Sequence, residues 1–196
     1  MIRSQNLNNA FFSSVNDGGL EEVLKSVGIE NRVATMNQTH SSKIAFANSY
    51  KTYESDGIFT DKNLLPLVVK TADCVPILME SNKRVSATHA GWRGLEKLIF
   101  EKSIKVHDIA SLKISIGPHA RKCCYEVGVE FGEKFKNSIN KVDDKYFLDL
   151  VKNIKNFAFK NDINLEDTGE CTICDKKYYS YRENKTNERQ FSLIWI

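Results

Sequence analysis

Short apolar runs that stop at polar loops constrain this chain more than any other feature. Leu67-Val68-Val69, Val75 to Met79, Val85 to Thr88 and Leu112 to Ile116 are rich in β-branched residues, and each ends at a polar segment or a breaker. Runs this short read as strands. Arg32 to Met36 and Lys43 to Ala47 read as two more, around Asn37-Gln38-Thr39-His40. Asp56 to Thr60 reads as a turn entering a strand, and Phe191 to Ile196 as a terminal strand. Between them lie helical spacings. Leu20 to Val27, Leu95 to Val106 and Val129 to Phe135 are expected helices. Tyr146 to Phe159 is the clearest, with Phe147, Leu150, Val151, Ile154, Phe157 and Ala158 on one face. This alternation predicts an α/β fold, a layered arrangement of mixed β-sheets flanked by helices. With 196 residues, three prolines and no repeat or low-complexity linker, residues 1–196 are expected to form a single domain.

Composition removes several function classes. Hydrophobic residues at 41% and charged residues at 27% exclude a disordered or fibrous chain. The net charge of +3 is dispersed, whereas nucleic-acid binding needs clustered cations, so no nucleic-acid partner is expected. No stretch approaches the roughly 20 apolar residues of a membrane span, and Met1 to Phe12 lacks the apolar core of a secretory signal. A cytoplasmic protein without a membrane partner is expected. The five cysteines are odd in number and unevenly spread. They read as thiols that pack, ligate or attack rather than as a disulfide framework.

Three residues with useful chemistry sit where apolar strands stop: His40, Cys74 and His89. Neutral imidazole and thiolate are ligands that zinc prefers, and three protein ligands leave a fourth position for water or substrate. The long separations carry none of the short spacings that identify a metal site alone. Taken singly, such a His more commonly forms a structural hydrogen bond and such a Cys more commonly packs. Asp73 precedes Cys74 and reads equally as a general acid/base or as a turn residue satisfying backbone amides. In His89-Ala90-Gly91-Trp92-Arg93-Gly94 the glycines permit close backbone approach, and Arg93 offers a fork for phosphate or carboxylate at a helix start. The simpler alternative is a strand-to-helix turn with Trp92 in the core and Arg93 in solvent. Cys171-x-x-Cys174 fits half of a structural zinc site or a redox pair, with Cys123-Cys124 able to supply the other half. The simpler reading, and the one expected, is ordinary cysteines. His107 is expected at the surface, and His119 near a pocket.

Read in order, these segments resemble one family. They are Asn37-Gln38-Thr39-His40, Asp56-Gly57-Ile58-Phe59-Thr60, Thr71-Ala72-Asp73-Cys74-Val75-Pro76, His89-Ala90-Gly91-Trp92-Arg93-Gly94, Gly117-Pro118 and Cys124-Tyr125-Glu126-Val127-Gly128. The tail Tyr179-Ser180-Tyr181-Arg182 with Ser192-Leu193-Ile194-Trp195 continues the likeness to the YfiH, or laccase-domain, family. The resemblance implies a zinc enzyme with His40, Cys74 and His89 as metal ligands. It further implies phosphorolysis of purine nucleosides (adenosine, inosine, guanosine, methylthioadenosine) and deamination of adenosine, with a purine nucleoside and phosphate as partners. Copper is the lesser alternative to zinc. The family has also been described as a multicopper polyphenol oxidase, but two histidines and one cysteine cannot build a multinuclear copper centre.

The chain departs from the family pattern near its start. Phe12 to Gly19 lacks the Arg of the family's Thr-Arg-x-Gly-Gly segment, which puts anion binding on Arg93, Lys43 or Arg182. His119-Ala120-Arg121-Lys122 stands where the family more often has small apolar residues. The expected site therefore comprises Asp73 and Arg93 as catalytic residues, with Lys43, Gly91 and Arg182 at the substrate. Two other readings compete: a hydrolase with Cys74 as nucleophile and His89 or His40 as base, and a non-catalytic metal-binding module.

Overall fold

The computed structural model describes residues 1–30 and 32–196. Its centre is a hairpin of Val75–Ser81 and Arg84–Ala90, turned by Asn82-Lys83 with Asn82 at φ 48°. Asn tolerates that left-handed conformation better than most residues. The hairpin lies in a six-stranded sheet of order Asn164–Asp167, Lys113–Ile116, Val75–Ser81, Arg84–Ala90, Gly57–Thr60, Ile44–Phe46. The outermost pair on each side is parallel and the inner pairs are antiparallel. A second, antiparallel sheet runs Ile2–Arg3, Asn9–Phe12, Gln190–Trp195, Leu67–Thr71.

Side-chain alternation explains why these sheets stack. Val75, Ile77 and Met79 point to one core, against Phe100 and Ile104 of the helix Ile99–Ile104 and Ile154 and Ala158 of the helix Lys152–Lys160. Leu78, between them, points to the opposite core, against Phe12, Leu67, Val69 and Ile194 of the four-stranded sheet. A strand buried on both faces needs a continuous apolar run, as Val75 to Met79 is. In the four-stranded sheet, Val68 and Leu193 face outward and are covered by Val23 and Leu24 of the helix Leu20–Ser26. The layers are therefore helix, sheet, sheet, helix, a mixed α/β fold. Among the described residues no helix is long and apolar enough to cross a membrane.

Local structure departs from the sequence pattern in several places. The expected helix Tyr146 to Phe159 is a strand, Lys145–Leu148, followed by the helix Lys152–Lys160. Asp143, at φ 51°, turns Ile139–Val142 back onto Lys145–Leu148 as a hairpin, so backbone pairing overrides the helical spacing there. The Asp149 side chain then accepts a hydrogen bond from the Val151 N–H at the helix entrance. The expected helix Leu95 to Val106 is two helices, Trp92–Glu96 and Ile99–Ile104, broken at Leu98 with φ 63°. Val129 to Phe135 is helical only over Phe131–Lys134.

His107 is buried, contrary to expectation. Its ring lies between Ser81 Oγ at 2.7 Å and Ser86 Oγ at 2.8 Å. Burial, with Arg84 nearby, lowers its pKa to about 4. His119 is also buried. Its Nδ1 lies 2.8 Å from the Gly117 carbonyl, and burial lowers its pKa to about 4. Between pH 6.5 and 4 the unfolded chain would bind protons that the folded chain refuses. Stability therefore rises with pH across this window and is lost on acidification, by roughly 3 kcal/mol per histidine. Thermal midpoints measured from pH 7 to pH 4 should fall, and less steeply for His107→Gln. Parallel curves for the two proteins would contradict this.

Candidate metal centre

The His40 loop is organised by one buried carboxylate. Asp56 Oδ1 accepts the His40 N–H at 3.0 Å. Asp56 Oδ2 accepts the N–H of Thr39 at 3.3 Å, the N–H of Ser41 at 2.7 Å and the Ser41 hydroxyl at 2.6 Å. Successive N–H groups converging on an anion form a nest, and His40 takes the left-handed conformation this requires, φ 58°. Gln38 ties the same loop to the strand Leu67–Thr71: its side chain donates to the Lys70 carbonyl at 2.7 Å and accepts the Lys70 N–H at 2.9 Å.

Cys74 lies where the chain leaves the four-stranded sheet after Thr71 and enters the six-stranded sheet at Val75. The crossing is made by Asp73 at φ 83°. Its side chain secures the turn. Oδ1 accepts the Thr172 hydroxyl at 2.7 Å, Oδ2 accepts the Arg182 N–H at 2.6 Å, and the Asp73 carbonyl accepts the Ala120 N–H at 2.9 Å. His89 lies near the end of the strand Arg84–Ala90. Its Nδ1 is 2.8 Å from Asp56 Oδ1, and its N–H donates to the Asp56 carbonyl at 2.7 Å. Asp56 thus fixes His89 with Nδ1 protonated and leaves Nε2 for a ligand, the carboxylate–histidine arrangement that orients metal-binding imidazoles.

The three side chains converge. One ligand atom from each of His40, Cys74 and His89 lies within 4.8 Å of the others. Cys74 Sγ is 3.7 Å from His40 Nε2, and the two imidazoles meet edge to face at 4.8 Å between centroids. Burial by itself raises the Cys74 pKa, but the charge of His89 and the hydrogen bond from His40 outweigh it and bring the thiol to about 6. Burial disfavours charge on His89, and Cys74 with Asp56 outweighs that, raising it to about 9. Without a metal, Cys74 and His89 therefore form a thiolate–imidazolium pair near neutral pH; zinc would displace the Nε2 proton, and two imidazoles plus a thiolate suit it in a site with one open position.

Gly91 has no room for a side chain. A Cβ there would lie 2.8 Å from Cys74 Sγ and 2.9 Å from His40 Cδ2. Its φ of −77° is ordinary, so space rather than conformation demands glycine. Gly91→Ala should displace both ligands and weaken zinc about 10–100-fold in a chelator competition. Unchanged affinity would show that the ligands do not occupy this pocket.

These residues line a cavity of about 800 Å³ with an unbalanced charge. Lys70, Arg93, Arg182, Lys185 and Arg189 line it against a single carboxylate, Asp73. Trp92, Tyr125 and Tyr181 supply aromatic faces. Arg93 is exposed and lies 4.4 Å over the Trp92 ring, which itself packs edge-on against Phe131. Arg182 stacks 4.7 Å over Tyr125 and donates to the Glu126 carbonyl at 2.6 Å. Of the residues expected at the site, the structure places His40, Cys74, His89, Asp73, Arg93 and Arg182 on the cavity wall and Gly91 against the ligands. Lys43 is apart from them. It is exposed and outside the cavity lining, and its carbonyl accepts the N–H groups of Asp56 and Gly57. His119, expected near a pocket, is buried and does not line this one. Sequence reasoning missed Asp56, whose signal was an acidic residue opening a buried strand, and also Lys70, Lys185 and Arg189.

Residues 15–196 match the family model described as multi-copper polyphenol oxidoreductase laccase. The chain is 37% identical over 153 residues to a purine nucleoside phosphorylase of Aquifex aeolicus, covering 73% of this chain and 71% of that one. It is 36% identical over 179 residues to a purine nucleoside phosphorylase of Clostridium acetobutylicum, covering 83% and 76%. Its structure superposes on that of a Neisseria meningitidis protein with a TM-score of 0.80 at 26% identity, covering 90% of this chain and 78% of the other.

Proposed function

The chain belongs to the multi-copper polyphenol oxidoreductase laccase family, also called the YfiH family, and from the site it carries we propose a zinc-dependent purine nucleoside phosphorylase that also deaminates adenosine. The observation that carries this reading is the convergence of His40, Cys74 and His89 on the wall of a cavity ringed by cations and aromatic rings. Phosphate needs the cations, a purine needs the rings, and about 800 Å³ holds both. The names of the relatives support the same substrates. The donor set argues for zinc over copper oxidase chemistry. The chain has four histidines, of which His107 and His119 are buried away from the cavity, so no multinuclear histidine-rich centre can assemble.

When bound, zinc supplies Lewis-acid polarisation of an oxygen and a lowered pKa for water. The chain's own residues do the rest. Arg93, braced on Trp92, presents its fork to phosphate as the phosphate oxygen bonds to the anomeric carbon and the bond to the purine nitrogen breaks. Tyr125 and Tyr181 sandwich or flank the base. Asp73, aligned by Thr172 and the Arg182 N–H, takes a proton from the attacking phosphate and passes it to the departing purine. In deamination it moves a proton to the leaving amine. Incubation with adenosine and phosphate should yield adenine, ribose 1-phosphate and inosine. Absence of all three from protein with zinc at this centre would leave the metal-binding module.

One observation favours a second reading. Cys74, His89 and Asp56 lie in the order of a nucleophile, a base and its orienting carboxylate. A metal-bound thiolate and a free nucleophile exclude each other. Rapid alkylation of Cys74 in protein purified without chelator, together with no stoichiometric metal, would establish the hydrolase.

A further inference from the structure

Outside the cavity, the four remaining cysteines assemble into a second cluster. Cys123 and Cys124 come from the loop after the strand Lys113–Ile116, and Cys171 and Cys174 from the loop after the strand Asn164–Asp167. All four sulfurs lie within 4.8 Å of one another, and none is bonded to another. Ordinary cysteines were the expected reading, and the fold instead gathers all four at one point. We propose that Cys123, Cys124, Cys171 and Cys174 hold a second zinc ion as a tetrahedral tetrathiolate, which staples one wall of the cavity.

The arrangement of the sulfurs argues for one shared ion. Cys123 Sγ is 3.6 Å from Cys171 Sγ and 3.5 Å from Cys174 Sγ, so it belongs equally to both members of the Cys-x-x-Cys turn. Two disulfides would instead divide the four sulfurs into exclusive pairs. Zinc with Zn–S bonds of about 2.3 Å separates tetrahedral sulfurs by about 3.8 Å, close to these spacings. Cys124 Sγ, 2.8 Å from Cys174 Sγ, needs to move outward by about 1 Å to join such a shell. An iron–sulfur cluster spreads its thiolates over several irons and needs them farther apart than sulfurs sharing one ion. Cys123 and Cys174 are exposed, which gives the ion a route in, while Cys171 is buried and anchors the site to the fold.

The position explains what the staple would secure. Cys171 bridges His119 in parallel register, and the Thr172 N–H donates to the His119 carbonyl at 3.1 Å, so the two loops already run together. Between the two cysteines of the turn, Thr172 donates to Asp73, the residue before Cys74. Next to Cys124, Tyr125 lines the cavity and carries Arg182 on its ring. Fixing the four sulfurs therefore fixes the Asp73 turn and the Tyr125 face. The proposal stands on the cysteine geometry alone and is independent of the nucleoside reading.

Zinc counted per chain by plasma mass spectrometry, after purification under reducing conditions and gel filtration, tests it. Two zinc ions are expected in the wild type and one in His89→Ala. Cys174→Ser should hold one zinc at the histidine centre, and the double variant none. Cobalt exchanged into His89→Ala should show the intense thiolate charge-transfer absorption of an all-sulfur site. A His89→Ala protein holding no zinc, iron in place of zinc, or disulfides among these cysteines by intact mass would each overturn the proposal, whereas one zinc in both the wild type and His89→Ala would count against the histidine centre and leave the cysteine site standing. If Cys174→Ser fails to fold, the wild-type and His89→Ala counts still decide.

Discussion

Cys74→Ala and His89→Ala are each expected to lose the metal of the histidine centre and nucleoside phosphorolysis together. Each variant removes one of three ligands, and the two that stay cannot close a stable site around zinc. The loss is larger than that of one bond, because the remaining donors are held apart by their own elements. His40 stays in its nest, and Cys74 or His89 stays at its strand end. Activity should fall at least about 10³-fold, since zinc polarisation supplies several kcal/mol of transition-state stabilisation. Measured by product formation and zinc content on the same samples, the two losses should coincide. Loss of activity with the wild-type zinc content retained would show that these residues do not hold the metal.

The next largest effect is expected at Asp56, a residue that touches no substrate. Its Oδ1 serves His40 and His89, and its Oδ2 serves Thr39 and Ser41. Burial alone would raise its pKa, but His89 and Ser41 hold it well below the ordinary carboxylate range. The stability this confers is present above the unfolded carboxylate value and is lost as pH falls through the folded one. Asp56→Ala leaves three loop N–H groups and the His89 ring without their acceptor, at a cost of about 3–5 kcal/mol. Asp56→Asn separates metal from fold. With its oxygen kept toward His89, its amide group faces the donors of Thr39 and Ser41, so the nest opens and zinc affinity drops about 10–100-fold. Calorimetry and zinc titration of both variants check this. Wild-type affinity in Asp56→Asn would show that the carboxylate does not orient the ligands.

The parts of the molecule that were legible in the sequence are those governed by local pattern. Val75 to Met79 is apolar throughout because both its faces are buried, and it read as a strand. His40, Cys74 and His89 stood out as reactive residues at strand ends, and the fold brings them together there. What the sequence hid depends on distant pairing. Ile2–Arg3 and Asn9–Phe12 are short and weakly patterned, and they are strands because Asn9–Phe12 pairs with Gln190–Trp195 at the other end of the chain. Asp56 read as a turn residue because its partners, Thr39 to Ser41, lie in another loop. The four cysteines could be read as a possible zinc set, but with 48 residues between Cys123 and Cys171 nothing in the sequence alone brought the halves together, and ordinary cysteines stayed the expected reading. Tyr146 misled because an aromatic run with helical spacing became a hairpin strand once Asp143 turned the chain.

An anomalous difference map, recorded across the zinc absorption edge on crystals of protein never exposed to chelator, tests the histidine–cysteine centre most directly. The account predicts a zinc peak about 2.0–2.1 Å from a ring nitrogen of His40 and of His89 and about 2.3 Å from Cys74 Sγ. A map with no metal among these three atoms, in protein that makes adenine and ribose 1-phosphate from adenosine, would contradict it.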